Sequence, residues 1–165
     1  MNEAEQNYSR LTPNGSLVQT KNNIMEFNFK VRRIIEKDWE FLPSWWTKHE
    51  GWDEPIPKDM LPEGGLGGFI VDKDRFPIAA CWLWVTNSKT CFINAFVADP
   101  NYRDSDREEA FDELIQFVTK FAQDMGMKYA WSWTSAPPLA EHFKRNGYDL
   151  TEKNWEIVKH LDQNG

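Results

Sequence analysis

Residues 91–126 read CFINAFVADP NYRDSDREEA FDELIQFVTK FAQDMG, and the fold turns on how this stretch is parsed. The apolar and aromatic run Cys91 to Ala98 predicts a strand, and Asp99-Pro100-Asn101-Tyr102-Arg103 predicts the turn that ends it. Beyond the turn, Ala110, Phe111, Leu114, Ile115, Val118, Phe121, Ala122 and Met125 recur at three- and four-residue steps. They make one apolar face on a helix of about five turns. Ser105 followed by Glu108 has capping-box spacing, and Gly126 supplies the stop. Lys128 to Thr134 alternates again, with Tyr129, Trp131 and Trp133 on one face, and predicts the next strand. A short helix ends in Phe143-Lys144-Arg145-Asn146-Gly147-Tyr148. Strand, helix and strand in this order form a right-handed crossover if the strands are parallel.

Upstream, Phe27 to Arg33 alternates as a first strand, and Glu36 to His49 carries Trp39, Leu42, Trp45 and Trp46 at helical spacing. Pro43 lies inside that segment and predicts a break or kink. The proline- and glycine-rich run from Gly51 to Gly68 is a long loop of the kind that often carries function. Phe69 to Val71 and Pro77 to Val85 follow as strands around the polar turn Asp72-Lys73-Asp74-Arg75, and with the strand from Cys91 they predict an antiparallel meander. Trp155 to Leu161 predicts a closing strand. Residues 1–25 are polar and aperiodic, which predicts a flexible arm, with a single domain over 26–165.

The chain of 165 residues fits one domain with a real core. Its formal net charge of −7 argues against tracking a nucleic-acid backbone. No apolar run approaches a membrane span, and no basic-then-apolar leader opens the chain. Cys81 and Cys91 both fall in predicted strands and read as buried reduced thiols, with no usable spacing for a metal site. Nine tryptophans are an unusual load, and each has to be buried, stacked or placed at an interface.

The element order, with Pro-x-Tyr-Arg between strand and helix, resembles the GNAT superfamily of acyltransferases over roughly residues 27–161. This resemblance implies a mixed α/β fold, a mixed sheet flanked by helices. Trp45-Trp46, Leu61-Pro62-Glu63-Gly64-Gly65 and Thr86-Asn87-Ser88 are similar to motifs of GNAT-like proteins encoded by bacteriophages. Acetyl-CoA is the implied cofactor, and its pyrophosphate would sit on the loop at Arg103, Ser105, Asp106 and Arg107, at a helix N-terminus. The backbone of Phe96 and Ala98 would hold its arm where two strands splay apart. The family's glycine positions on that loop hold Asp106 and Glu108, which add bulk and negative charge where an anion belongs. As ordinary first-turn residues, Ser105, Asp106, Glu108 and Glu109 also serve as plain helix-capping groups.

At the position of the family's general-acid tyrosine stands Phe143, with His142 as the adjacent proton donor, although a lone histidine there is more often a surface residue. The slot of the general base holds Asn94, which can orient a water or the amine but not take its proton. Trp82 and Trp84, then Phe92, Asn94 and Phe96, then Trp131 and Trp133 each share a face of one strand. With Trp45 and Trp46 covering them, they form either a core layer or an aromatic wall for an acceptor. The leading expectation is a cytoplasmic N-acetyltransferase, in the host cytoplasm if phage-encoded, acting on a small-molecule or protein amine. Two other expectations stay open. One is a catalytically silent scaffold that binds a protein partner through its acidic surface. The other is a DNA-base modification enzyme whose tryptophans stack the target.

Overall fold

The computed structural model describes residues 28–49 and 53–151, so the expected N-terminal arm and the closing strand Trp155 to Leu161 lie outside the described residues. One sheet holds β1 (Phe29–Arg33), β2 (Gly68–Lys73), β3 (Phe76–Val85), β4 (Thr90–Ala98) and β5 (Tyr129–Trp131), adjacent in chain order. The meander β2-β3-β4 is antiparallel as expected, and β5 joins β4 in parallel, so the sheet is mixed. Lys73 pairs with Phe76 across Asp74 and Arg75, whose φ values of 49° and 72° make a two-residue turn of the primed class without glycine.

Three helices complete the described fold: α1 (Leu42–Thr47), α2 (Arg107–Asp124) and α3 (Pro137–Arg145). Pro43 acts at the start of α1 and not in mid-helix, and the residues before it, Glu36–Glu40, form a 3-10 turn. Helix α2 begins later than the capping-box spacing implies. Its N-cap is Asp106, no side chain caps it, and Ser105 lies outside the helix. The Asp106 side chain is engaged instead by Lys73 and Tyr102. The stop is as expected: Gly126 at φ 89° lets its N–H reach Gln123 O at 2.9 Å and Met127 N–H reach Ala122 O at 3.1 Å.

The sheet is covered on both faces. Ala110, Leu114, Val118 and Ala122 of α2 pack on Phe69, Val71, Cys81, Leu83, Cys91 and Ile93. Across the sheet, Leu42, Trp45 and Trp46 of α1 pack with Leu61 on Ile70, Ala80, Trp82 and Val97. Cys81 and Cys91 are free and buried, and burial raises both thiol pKa values, which keeps them protonated. Leu114 is fully buried at the centre of the α2 stripe. Leu114→Ala is expected to cost about 3 kcal/mol, read as a lower urea midpoint at an unchanged slope.

Candidate functional site

The site begins where β4 outruns β5. Among the described residues the two strands pair only from Thr90–Tyr129 to Phe92–Trp131, and β4 continues to Ala98 with its β5-facing edge unpaired. This is the expected splay. Two residues past the last pair, Asn94 bridges the gap with its side chain. Its Oδ1 accepts from the Trp133 backbone N–H at 3.1 Å and from Ser132 Oγ at 2.9 Å. Asn94 is 5% exposed, and its Nδ2 has no hydrogen-bond partner among the described residues.

The next residue, Ala95, has φ 58°, and the β3–β4 register shifts beside it. Such a bulge moves the side-chain alternation by one residue. Phe96 therefore does not share a face with Phe92 and Asn94, as strict alternation predicts. It turns to the α2 side, where its ring meets Phe143 edge-on at 5.4 Å. Ala95 and Val97 stay on the tryptophan side. A non-glycine residue held in the left-handed region is backbone strain fixed by its surroundings. At the strand's end, the Ala98 carbonyl contacts His49 Nε2 at 3.0 Å, which ties the segment after α1 to β4.

The loop from β4 to α2 is built around Asp106. Its carboxylate, 3% exposed, turns inward and accepts from Tyr102 Oη at 2.5 Å and from Lys73 Nζ. Burial alone would raise its pKa, but the bonds from Lys73 and Tyr102 outweigh it and hold the carboxyl below its ordinary value. Burial first, and then the Asp106 hydrogen bond, push the Tyr102 phenol up to about 12. The carboxylate at this glycine slot thus faces β2. Glu108, at the other slot, is directed to His142 Nε2 at 3.2 Å and Arg145 at 3.5 Å. On the outside of the loop, Arg103 and Arg107 stand beside exposed Asp104, Glu108 and Glu109. Arg103 is exposed, and Arg107 is half-buried with NH1 donating to Tyr102 O at 3.3 Å. Burial and then the Arg103 charge lower the Arg107 pKa. Neither guanidinium forms an ion pair among the described residues. The first-turn N–H groups of α2 at Glu108 and Glu109 have no partner among the described residues either.

Because the Asp106 pKa is depressed, the stability it confers is present above the unfolded carboxyl pKa near 4 and is lost as pH falls through the folded value. Asp106→Ala is expected to lose about 2 kcal/mol at pH 7. The gap from wild type should narrow at pH 3, which urea unfolding at the two pH values measures.

His142 is not at the surface. It is 3% exposed, stacks on Phe111 at 5.2 Å, and places Nδ1 2.8 Å from Asp112 Oδ1. The ring packs α3 on α2, on the opposite side of the sheet from Asn94's tryptophan neighbours, so the structure does not bring the two together. Phe143 is likewise buried, between Phe96 and Tyr148.

The tryptophan faces coincide as expected: Trp82 pairs with Asn94, Trp84 with Phe92, and Phe92 with Trp131. Their uses differ. Trp45, Trp46 and Trp82 are buried core, with Trp46 stacked on Trp82 at 5.4 Å and Trp39 beside both. Trp84 is half-buried, whereas Trp131 and Trp133 are 61% and 56% exposed, with Trp133 edge-on to Phe92. Sequence reasoning missed Lys73 and Tyr102 as partners of the loop. A lysine 33 residues away from Asp106 carries no local signal of that contact. Among the described residues there is no cluster suited to a metal ion and no helix long and apolar enough to cross a membrane.

No family model and no curated protein matches the sequence. Solved structures match in shape. The aminoglycoside acetyltransferase meta-AAC0020 from an uncultured soil metagenomic sample superposes with TM-score 0.56 and 13% identity, over 84% of this chain and 99% of that one. The ribosomal-protein-S18-alanine N-acetyltransferase from Escherichia coli gives 0.56 and 11%, over 72% and 76%. N-acetylglutamate synthase from Neisseria gonorrhoeae, solved with coenzyme A and N-acetyl-glutamate, gives 0.53 and 12%, over 72% of this chain and 28% of that one. At these identities the likeness is one of fold. The chain has the GNAT acetyltransferase fold.

Proposed function

We propose that this protein is an N-acetyltransferase that moves an acetyl group from acetyl-CoA to an amine. The observation that carries the reading is a β4 edge unpaired beyond Phe92 among the described residues, together with Arg103 on the loop before α2 and Arg107 at its first residue, neither in an ion pair among the described residues. Arg103, Arg107 and the free amides of the first turn of α2 would take the pyrophosphate. The Asp106 slot does not oppose this, because its carboxylate is committed to Lys73 and Tyr102, while Glu108 stays exposed beside His142, Arg145 and Arg107. Ser105 contributes its backbone to the same loop. The arm of the cofactor would lie along Phe96, Val97 and Ala98.

The chemistry is acyl transfer by proximity. A neutral amine held against the thioester needs no strong base on β4, and alignment alone accounts for a large share of such a rate. The open aromatic face of Trp84, Phe92, Trp131 and Trp133 is the proposed seat of the acceptor, with Trp45, Trp46 and Trp82 as its fixed floor. A coenzyme A complex of a structural neighbour supports the choice of donor.

Calorimetric titration with acetyl-CoA tests the reading. Micromolar binding is expected, and Arg103→Ala or Arg107→Ala should each weaken it roughly ten- to hundredfold, since a hydrogen bond to a charged group contributes about 1.5–3 kcal/mol. Absence of binding at millimolar acetyl-CoA would reject the enzyme and leave the fold as a scaffold for a protein partner, whose acidic surface then becomes the place to look.

A further inference from the structure

We infer that the amine this protein acetylates is an aryl amine, a nitrogen attached directly to a flat ring and neutral at physiological pH without help. This rests on the acetyltransferase reading above. The seat lacks a proton acceptor among the described residues. The register places Trp84, Phe92, Asn94, Tyr129 and Trp131 on one face at the end of the sheet where β4 and β5 part, and Trp133 lies edge-on to Phe92. None of these is a carboxylate, an alkyl amine or an imidazole. The Asn94 oxygen accepts from Ser132 Oγ and from the Trp133 N–H, and an amide cannot take a proton at this pH. Of the histidines among the described residues, His142 lies on the other side of the sheet, and His49 bonds to the Ala98 carbonyl, four residues further along β4. An alkyl amine with the pKa of a lysine is neutral in roughly one part in 2,500 at pH 7, and only that fraction attacks a thioester. A base normally makes up the difference, and this seat supplies none. An aryl amine shares its lone pair with the ring, holds a proton weakly and arrives neutral.

The wall fits the same class. Tyr129, Trp131 and Trp133 stand exposed, and Trp84 and Phe92 are half-buried beside them. Rings without a charge among them offer stacking area and nothing that pairs with an ion. A polyamine or an amino acid laid there leaves its second charge without a partner, which is costly wherever water is excluded. A flat uncharged ring covers the wall and strands no charge. The splay opens just beyond Phe92 and Trp131, the last pair of the two strands. A nitrogen carried on a ring stacked at that pair therefore faces the thioester end of an arm lying along Phe96 to Ala98.

In the step itself, the nitrogen lone pair attacks the thioester carbonyl carbon and the C=O π pair moves onto oxygen. The C–N bond forms, the pair returns, and the C–S bond breaks. Coenzyme A leaves as thiolate. The proton on the nitrogen, made acidic by the ring, passes to that thiolate or to water, so the balance closes without a protein base.

The test sets para-ethylaniline against phenethylamine, isomers that share a benzene ring and differ in where the nitrogen sits, with acetyl-CoA and the full chain. At pH 7, kcat/KM for para-ethylaniline should exceed that for phenethylamine roughly tenfold or more. Between pH 6.5 and 8.5 the phenethylamine rate should climb roughly a hundredfold with its neutral fraction, while the para-ethylaniline rate changes less than about twofold. Trp131→Ala should raise KM for para-ethylaniline roughly fivefold, the worth of one ring contact, with acetyl-CoA affinity unchanged. A phenethylamine rate that matches or exceeds the para-ethylaniline rate at pH 7 overturns this inference alone. So does acetyl-CoA binding with neither amine acetylated, or a KM indifferent to Trp131→Ala. If Trp131→Ala does not fold, the ratio of the two amines decides by itself. If acetyl-CoA does not bind at all, the acetyltransferase reading falls and this inference falls with it.

Discussion

Replacing Arg32 with alanine is expected to destabilise the protein by about 3–5 kcal/mol, a large part of what holds a domain together. Arg32 lies on β1 and makes three charged bonds. Nε donates to Asp72 Oδ2 at 2.7 Å, while NH1 and NH2 fork onto Asp38 at 2.8 and 2.9 Å. Both carboxylates are buried, with Asp38 and Asp72 only 4% and 7% exposed. Their hydrogen bonds, that to Asp38 first, outweigh burial and raise the Arg32 pKa, so its charge is fixed over the working range. Removing the guanidinium leaves two buried carboxylates, one of which already has an oxygen, Asp72 Oδ1, without a partner among the described residues. The damage reaches the tryptophan layer, because Asp38 belongs to the 3-10 turn that carries Trp39 and accepts from the Ile35 N–H at 2.8 Å. A triple variant, Arg32→Met with Asp38→Asn and Asp72→Asn, removes the charges together. It should recover more than half of the loss in urea unfolding, since the cost is that of unpaired charge. A triple variant no better than the single one would show that the bonds themselves, and not the stranded charges, carry the stability.

Gly65→Ala should cost about 3 kcal/mol, and its neighbour Gly64→Ala only about 1 kcal/mol. Both glycines have positive φ, 91° and 60°, so both substitutions incur backbone strain. They differ in space. A Cβ at Gly64 meets nothing within 4 Å, whereas one at Gly65 lands 2.5 Å from Trp39 Cζ2. The Trp39 ring cannot retreat easily, since it packs beside Trp46 and Trp82 at 6.1 Å from each. The Gly65 carbonyl is also the acceptor for Trp82 Nε1 at 2.9 Å and Trp39 Nε1 at 3.4 Å. Any shift of this backbone therefore loosens the floor beneath the proposed acceptor seat. The difference between the two variants isolates the tryptophan contact from the shared φ penalty, and thermal melting followed at the indole absorption reads it out. Equal losses would mean that the loop, and not the ring behind it, sets the cost.

The sequence alone determined the parts of this protein that depend on local periodicity and on the backbone demands of single residues. The stripe from Ala110 to Ala122 became the buried face of α2, because the 3.6-residue period leaves those positions no other common side. Gly126 ended that helix through its left-handed φ. Residues at period two in β3, β4 and β5 placed Trp82, Trp84, Phe92, Asn94 and Trp131 on one face, as the register confirms. The splay beyond Phe92 and the candidate loop of Arg103 and Arg107 were expectations from the resemblance to the GNAT superfamily, and of the two the structure shows the splay.

Tertiary structure decided the rest, for a common reason: the deciding partner is distant along the chain. Asp106 resembles a helix cap or a negative charge at an anion seat until Lys73 and Tyr102 turn it inward. His142 resembles a surface residue until α3 packs on α2 and sets it between Glu108 and Asp112. The bulge at Ala95 is invisible to an alternation argument, because an alanine does not advertise a φ of 58°, and this one residue sends Phe96 to the opposite face. Whether a tryptophan is floor or wall is set by what covers it, so Trp46 and Trp82 are buried while Trp131 stands open. Periodicity fixes which way a side chain points from its own element; only the packing of elements fixes what it meets there.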